Sequence, residues 1–316
     1  MKTPRIGLLL LMAATLCYAA EPTQKPTAPK GRPKMPPGPP PGVELIHDVE
    51  IGKGGDTTLH AEIARPKDPP KEPMPAVLWI HGGGWSGGSH KGNGAMYLAT
   101  KGYFTASIEY RLSGEAKWPA QIEDCKLGVR WLRANAAKYN INPDRIGCWG
   151  SSAGGHLVAC LGTMDDPKFE GSGGHAGVNS RVQAVVDYCG PADFTKGSGG
   201  IQNAKEDEDA PAPLGLFGVP FKEKPDLWKQ GGPVAHVKAG APPFLIVHGN
   251  KDKTVPHAQS VSLEAALKKA GVPVEFITVK GGGHGMSAAP GDPPAEPDRN
   301  AIQAAVIAFF DKHLKK

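Results

Sequence analysis

Short runs of apolar residues alternate with longer segments in which apolar residues recur at helical spacing. The short runs are typical of β-strands and the longer segments of amphipathic helices. The predicted strands are residues 43–51, 58–64, 76–80, 104–110, 146–149, 182–188, 244–248 and 274–279. The clearest predicted helices are residues 121–138, 155–163, 258–270 and 300–315. Strands separated by helices imply βαβ crossovers, so we expect an α/β fold whose mainly parallel, eight-stranded sheet carries helices on both faces.

Two segments lack this periodicity. Residues 165–180 are rich in Gly, Asp and Ser, and residues 195–232 lie between two predicted sheet strands. Long loops in a compact domain are uncommon unless they serve a site, so we expect residues 195–232 to be a small insert that faces a substrate. A solvated surface loop around the acidic run 206–209 is an equally good interpretation.

The chain begins with a predicted signal peptide at residues 1–20. Basic residues open it, an apolar run follows at residues 6–16, and the small residues Ala19 and Ala20 supply a cleavage site. We therefore expect a secreted or periplasmic protein whose mature form has no transmembrane segment. A lipid anchor on Cys17 is disfavoured because the leucine before it is bulky for that pattern.

Residues 21–42 form a Pro-rich, basic segment that predicts an extended linker to one domain at residues 43–316. The net charge is +5, but the first 42 residues hold six basic residues and one acidic residue, so the remaining 30 basic and 30 acidic residues cancel. A domain without an excess of basic residues does not indicate a positively charged surface for nucleic acid, so we expect no nucleic-acid partner. Nothing in the pattern indicates an oligomeric state.

Four cysteines follow the predicted signal peptide, at Cys125, Cys148, Cys160 and Cys189. Each lies in an apolar context, where a free cysteine behaves as a small hydrophobic residue, although export would permit disulfides. No Cys-x-x-Cys or Cys/His ligand spacing occurs, so the sequence predicts no metal site and no cofactor.

Ser152 occupies the centre of a Gly-x-Ser-x-Gly pattern between a predicted strand and a predicted helix. Such a turn holds a serine in a strained conformation that only tiny flanking residues accommodate, and it exposes the hydroxyl at the edge of the sheet. Ser152 is therefore a candidate nucleophile. The neighbouring Ser151 is a candidate substrate-binding residue.

A glycine run follows the strand at residues 76–80 and includes Gly83 and Gly84. Glycines at a strand end let backbone amides face an anion, so these two amides and that of Ala153 are candidates for an oxyanion hole. A plain flexible turn is the alternative. Trp85, which ends the run, is either a wall of the substrate pocket or a core aromatic residue.

Asp252 and His284 each come just after a predicted strand, downstream of Ser152. The chain order Ser, Asp, His is the one that this type of strand–turn–helix nucleophile requires. His284 is expected to accept the Ser152 proton and return it to the leaving group. Asp252 is expected to orient His284 and stabilise its charged form.

Other residues compete for these roles. Asp193 also follows a strand but is more typical of a loop or cap residue. His81 is expected to hold the shape of the glycine loop through backbone hydrogen bonds, and His156 to pack or hydrogen-bond locally in its helix. His248 and His257 flank Asp252, but neither lies in a glycine turn after a strand as His284 does.

With these residues in place the chain resembles the α/β-hydrolase superfamily, and within it secreted esterases of the carbohydrate-esterase and hormone-sensitive-lipase-like group. The resemblance covers nearly all of residues 43–316. It implies an α/β-hydrolase fold and a serine esterase that hydrolyses short acyl esters. Acetyl or feruloyl esters of plant polysaccharides are the substrates that it suggests. Besides the triad, the motifs that carry it are residues 81–85, 109–112, 118–124, 129–132, 142–146 and 190–193.

Two alternative functions stay open. The same triad occurs in amide-cleaving relatives such as arylformamidases and dipeptidyl-peptidase-like enzymes. A non-catalytic binding module on a hydrolase scaffold is also conceivable, because a fold alone does not confer activity. Such modules usually lose a triad member or the oxyanion glycines, whereas this chain keeps them.

Overall fold

A computed structural model describes residues 38–205 and 208–315. The predicted signal peptide, Cys17 and all but the last residues of the predicted linker lie outside this described part, so those assignments stay predictions. No helix within the described ranges is long and apolar enough to cross a membrane.

All the predicted strands form, and in the described part of the chain they make one eight-stranded sheet with the order β1-β2-β4-β3-β5-β6-β7-β8. The first pairings, β1 with β2 and β2 with β4, are antiparallel, and the other pairings are parallel. The strands are β1 (Val43–Gly54), β2 (Thr57–Pro66), β3 (Met74–Ile80), β4 (Phe104–Ile108), β5 (Ile141–Ser151), β6 (Ala184–Tyr188), β7 (Phe244–Gly249) and β8 (Val274–Val279).

Helices connect these strands and cover both faces of the sheet. Consecutive residues of β5 show the two faces, because Cys148 packs in a core with side chains of α1, α3 and α6, whereas Trp149 packs in a separate core with α7. The helices are α1 (Ala120–Ala134), α2 (Ala136–Tyr139), α3 (Ala153–Thr163), α4 (Pro211–Phe217), α5 (Pro225–Gly231), α6 (Ala258–Lys269) and α7 (Arg299–Leu314). The predicted architecture is confirmed.

Residues 195–232 contain more structure than the sequence pattern predicts. Their described part includes the helices α4 and α5, each of which has a proline at its first position, where the missing N–H costs nothing. The rings of Phe217 and Trp228 pack against each other at a tilt of 32° with their centres 4.7 Å apart, and both residues are buried. Both side chains belong to the main hydrophobic core of the domain, so the segment packs onto that core rather than being only a solvated loop.

Residues 165–180 are anchored away from this insert. The carboxylate of Glu170 accepts hydrogen bonds from Lys126 at 2.9 Å and from Arg130 at 2.7 Å, both on α1. The carbonyl of Gly173 accepts from the amide of Lys53 at 3.1 Å. These contacts hold the loop against α1 and the end of β1.

Candidate active site

Ser152 lies in the sharp turn between β5 and α3, with φ 57° and ψ −122°. A residue with a side chain is strained in this conformation, which is typical of a nucleophile elbow. The flanking positions must be glycine because a side chain would have no room there. A Cβ on Gly154 would lie 2.0 Å from the carbonyl oxygen of Ile80, and a Cβ on Gly150 would lie 2.3 Å from that of Gly154. The turn can therefore pack against β3 only with glycine at these positions.

The three predicted triad residues are hydrogen-bonded in series. Ser152 Oγ lies 2.9 Å from His284 Nε2, and His284 Nδ1 lies 2.7 Å from Asp252 Oδ2. They meet because the parallel strands β5, β7 and β8 end at the same edge of the sheet, and each residue follows one of those ends. The Asp252 side chain is fully buried, whereas that of His284 is 31% exposed and faces solvent beside Ser152.

Asp252 is held in its charged form. Burial favours the neutral acid, but hydrogen bonds from His248, His284 and the amide of Val255 outweigh burial and keep the pKa of Asp252 below its usual value. The amides of Thr254 and Val255 both donate to Oδ1, at 2.7 and 3.0 Å, which leaves Oδ2 to the histidines. A fixed negative charge therefore lies behind His284, where it stabilises a protonated imidazole.

The predicted oxyanion residues line the same cavity as Ser152. Gly83 has φ 113° and Gly84 has φ 58°, and the carbonyl of Gly83 accepts the amides of Ser86 and Gly87 in a tight turn. A Cβ on Gly83 would lie 2.3 Å from the carbonyl oxygen of Gly87. Ala153 is the first residue of α3, where the amide has no acceptor within its helix. Backbone donors are therefore available beside the serine hydroxyl.

One cavity joins these elements, and we call it the Ser152 cavity. Its volume is about 560 Å³, in the range of small-molecule sites. Ser152, His284, Gly83, Gly84 and Ala153 all line it. The insert contributes further walls, whereas no residue of 165–180 does. The other lining residues are Trp85, Ser86, Ser151, Pro191, Ile201, Gln202, Ala212, Thr254, Val255 and Gly285.

The sequence model of the family described as BD-FAE matches residues 62–267, which include Ser152 and Asp252. The chain belongs to the BD-FAE family. Two solved structures are similar over most of this BD-FAE chain. A truncated carbohydrate esterase from gut microbiota has a TM-score of 0.74 at 32% identity, covering 89% of this chain and all of that one. Esterase 2 from Thermogutta terrifontis has a TM-score of 0.67 at 26% identity, covering 87% of this chain and 94% of that one.

Two curated relatives of this BD-FAE chain are named esterases as well. Esterase LipC of Mycobacterium tuberculosis is 30% identical over 280 residues, which are 84% of this chain and 64% of LipC. Esterase LipQ of the same organism is 32% identical over 231 residues, which are 71% of this chain and 53% of LipQ. The chain thus spans between half and two thirds of these relatives. The predicted α/β-hydrolase fold and esterase family are confirmed.

The sequence analysis weighed His248 only as a rival of His284 and missed its contact with Asp252. Its side chain is fully buried, and Nε2 lies 3.1 Å from Asp252 Oδ2 and 3.0 Å from the carbonyl oxygen of Val255. Because both partners are acceptors, Nε2 carries the hydrogen and Nδ1 accepts from the hydroxyl of Ser260 at 2.7 Å. The one available signal was its place at the end of β7, four residues before Asp252.

His156 makes the expected local contact, because the Cys160 sulfur one turn later in α3 lies 3.4 Å from Nε2. It also has distant partners that the sequence did not indicate. Nε2 lies 2.7 Å from the carbonyl oxygen of Gly231 in the insert, and Nδ1 accepts from the indole N–H of Trp85 at 3.2 Å. Burial lowers the pKa of His156 to about 4, so the ring is neutral. His156 therefore links α3 to the insert through Gly231 and to the glycine loop through Trp85.

The other rival residues have separate partners. The Asp193 carboxylate accepts from the amide and the hydroxyl of Thr195, at 2.9 and 2.6 Å, in a local turn. His81 Nδ1 lies 2.8 Å from the carbonyl oxygen of Gly82, and its ring stacks on Tyr110, as expected of a residue that shapes the glycine loop. His257 Nε2 lies 3.1 Å from the Thr278 hydroxyl.

The structure separates the two candidate substrate-binding residues. Trp85 is 1% exposed, and its ring packs edge-on against His156, so its indole is a core aromatic group even though the residue borders the cavity. Ser151 is partly exposed and lines the Ser152 cavity. Its hydroxyl lies 4.0 Å from the sulfur of Cys189.

Cys189, Asp252 and His284 form the one group with metal-ligand spacing among the described residues. Asp252 and His284 are already hydrogen-bonded to each other, and the Cys189 thiol donates to the carbonyl oxygen of His284 at 3.5 Å. Burial raises the pKa of the Cys189 thiol, which disfavours the thiolate that binds metal. All four described cysteines are buried and free.

Proposed function

We propose that this protein is a serine carboxylic ester hydrolase whose catalytic residues are Ser152, His284 and Asp252. The observation that carries the proposal is the series of two hydrogen bonds, 2.9 and 2.7 Å long, from Ser152 through His284 to Asp252. The glycine-loop amides border the same cavity. A nucleophile, a base, a fixed carboxylate and oxyanion donors are the components that acyl transfer requires.

Acylation follows from this arrangement. Ser152 Oγ attacks the ester carbonyl carbon while its proton moves to His284 Nε2. The carbonyl oxygen becomes an oxyanion that accepts hydrogen bonds from the amides of Gly83, Gly84 and Ala153. His284 then gives the proton to the alcohol oxygen as the bond from that oxygen to the acyl carbon breaks. The alcohol leaves and the acyl group stays on Ser152.

Deacylation repeats these steps with water. His284 Nε2 takes a proton from the water, whose oxygen attacks the acyl carbon in the same oxyanion site. The proton then returns to Ser152 Oγ as the carboxylic acid leaves. Asp252 keeps its charge throughout and stabilises the protonated His284.

We propose short acyl esters of a carbohydrate, acetyl or feruloyl, as the substrates. The similarity to a gut-microbiota carbohydrate esterase supports the carbohydrate portion. Small side chains such as Ala212 and Val255 and the volume of about 560 Å³ support a short acyl group in the Ser152 cavity. Acetylated or feruloylated plant polysaccharide is the substrate class that combines both features.

We also propose that the protein is exported by its N-terminal residues 1–20 and that residues 43–316 form the catalytic domain. The basic start, the apolar run and the small cleavage residues support export. The start of β1 at Val43 supports the domain boundary. Mass spectrometry of the mature N-terminus tests export, because cleavage near Ala19 or Ala20 is expected and an intact N-terminus would contradict it.

Hydrolysis of p-nitrophenyl acetate by a Ser152→Ala variant tests the proposed chemistry. We expect the rate to fall by several orders of magnitude, because the nucleophile is lost. Ser172→Ala, which changes an exposed serine on the anchored loop 165–180, is the matched control and is expected to keep wild-type rates. Wild-type activity in Ser152→Ala would disprove the proposal.

Substrate class is tested by a panel of acetylated xylan, methyl ferulate and a formanilide, together with a fluorophosphonate probe. We expect the probe to label wild type but not Ser152→Ala, and the esters to be cleaved faster than the amide. A preference for the formanilide would favour an amidase. Absence of labelling on the folded protein would favour a binding module.

A further inference from the structure

A second cavity of about 360 Å³ adjoins the Ser152 cavity, and we call it the Trp149 cavity. The two cavities share Ser151, His284 and Gly285 as walls. The triad histidine thus stands between them. The distinctive side chains of the Trp149 cavity are Tyr97, Trp149, Tyr188, Met286, Arg299 and Gln303.

The inner part of the Trp149 cavity is aromatic. The indole of Trp149 is held edge-on by Tyr97 and Tyr188, with ring centres 5.8 and 5.3 Å away. The three rings therefore pack together as one cluster. The Trp149 ring lines the cavity, whereas its indole N–H is buried and has no hydrogen-bond partner among the described residues.

The outer part of the Trp149 cavity is polar. Arg299, the first residue of α7, is exposed, and Gln303 one turn later is partly exposed. No carboxylate within residues 38–205 and 208–315 forms an ion pair with Arg299. The guanidinium donors of Arg299 are therefore available to hydroxyl groups of a ligand, and the Gln303 side chain lies beside the Tyr97 hydroxyl.

The position of the Trp149 cavity indicates which portion of the substrate it meets. The carbonyl group must lie at Ser152 and the oxyanion amides, which belong to the Ser152 cavity alone. The leaving oxygen must lie at His284 Nε2, because that atom supplies its proton. The alcohol portion therefore extends past His284, which is the wall shared with the Trp149 cavity.

We infer that the Trp149 cavity binds the alcohol portion of the ester and that this alcohol is a pyranose ring. The inference rests on the proposed esterase function. A pyranose has an apolar C–H face that packs on aromatic rings and hydroxyls around its edge, which match the inner rings and the outer donors. A simple aryl alcohol has no further hydroxyl that could accept from those donors once it is esterified.

Alcohols that compete with water for the acyl-enzyme test this inference. Vinyl acetate acetylates Ser152 and releases a small alcohol, which rearranges to acetaldehyde. An added alcohol then attacks the acyl carbon, gives its proton to His284 and leaves as its acetate, while Ser152 regains its proton. Methyl β-xylopyranoside, benzyl alcohol and methanol are compared as acceptors by the ratio of transfer to hydrolysis, measured by NMR.

We expect transfer to the pyranoside to saturate and to exceed transfer to methanol and benzyl alcohol at equal concentration. Arg299→Ala and Gln303→Ala should each lower the pyranoside ratio by about fivefold relative to the methanol ratio, as expected for one lost hydrogen bond. Asn300→Ala, an exposed neighbour of Arg299 that does not line the cavity, is the matched control and should keep both ratios.

The outcomes separate the two proposals. Hydrolysis of vinyl acetate without saturable transfer to the pyranoside would overturn the pyranose subsite and leave the esterase function intact. Better transfer to benzyl alcohol, or equal losses for all acceptors in Arg299→Ala and Gln303→Ala, would overturn it too. Failure of wild type to hydrolyse vinyl acetate would disprove the esterase function and with it the subsite.

Discussion

His248 donates to the same carboxylate oxygen of Asp252 that accepts from His284. The two nitrogens lie 3.1 and 2.7 Å from Oδ2. The hydrogen bond from His248 draws negative charge away from the side of the carboxylate that faces His284. We therefore expect His248 to position the triad through Asp252 rather than to act on the substrate.

Replacing His248 with alanine should lower kcat/KM about tenfold, the order of one hydrogen bond to a charged group. Without this donor, Oδ2 holds a proton on His284 more strongly, so the acid limb of the kcat/KM profile should move to higher pH. His248→Gln, whose amide can donate, should restore part of both effects. The measurement is kcat/KM for p-nitrophenyl acetate against pH.

Ser260→Ala is the matched control for His248, because it removes only the donor to Nδ1. A smaller shift of the acid limb is expected in this variant. If His248→Ala lowers thermal stability but leaves the limb in place, the role of His248 is structural only.

Replacing Asp252 with asparagine should reduce kcat by about 10⁴, because His284 loses both its orienting partner and the charge that stabilises its protonated form. Asp193→Asn changes the other aspartate that follows a strand and should keep near-wild-type kcat, since that carboxylate serves Thr195. Steady-state kinetics of both variants decide the matter. If Asp193→Asn were inactive and Asp252→Asn active, the acid of the triad would be Asp193 rather than Asp252.

Replacing Gly83 with alanine should lower kcat about a hundred- to a thousandfold with little change in KM, because the added Cβ displaces an oxyanion amide. Gly92→Ala is the matched control. Gly92 also has a positive φ, 94°, but a Cβ added there would meet no atom within 4 Å. Gly92 does not line the Ser152 cavity. Equal losses of kcat in both variants would show that backbone strain alone is responsible.

Replacing Asp187 with asparagine should stabilise the protein above pH 6. Burial raises the pKa of Asp187 from 3.8 to about 6, and Oδ2 has no partner among the described residues. Well below pH 3.8 the Asp187 carboxyl is protonated in both the folded and the unfolded protein. As pH rises to 6 the unfolded chain ionises first, so wild type loses up to about 3 kcal/mol of stability and then stays constant.

Denaturant unfolding of wild type and Asp187→Asn from pH 4 to 8 checks this prediction. The variant keeps an oxygen that can accept the amide of Gly190, as Oδ1 does at 2.9 Å. Its stability advantage should grow between pH 4 and 6 and level off above. A constant difference across the range would mean that Asp187 ionises alike in both states.

Local rules explain why much of the site was predictable. The elbow around Ser152 needs glycine at Gly150 and Gly154 because other residues would collide with backbone, and this requirement is visible as a sequence pattern. Asp252 and His284 follow strands of one parallel sheet, whose carboxyl ends share an edge. Hydrophobic periodicity predicts those strands, so it also predicts that the three residues meet.

The remaining features depend on contacts between distant residues. His156 binds a carbonyl 75 positions away, and the helices α4 and α5 of the insert are stabilised by burial of Phe217 and Trp228. Of the two irregular loops, only the insert borders the Ser152 cavity.

The sequence by itself determined the sheet, the elbow, the order of the triad and the glycines of the oxyanion loop, because each follows from local sterics or from strand periodicity. The tertiary structure alone decided that His248 shares Asp252 with His284, that Trp85 is a core residue, and that Trp149 faces a second cavity beside the triad. The physical reason is that side-chain partners and cavities arise from packing between elements, and no local pattern encodes which distant surfaces come together.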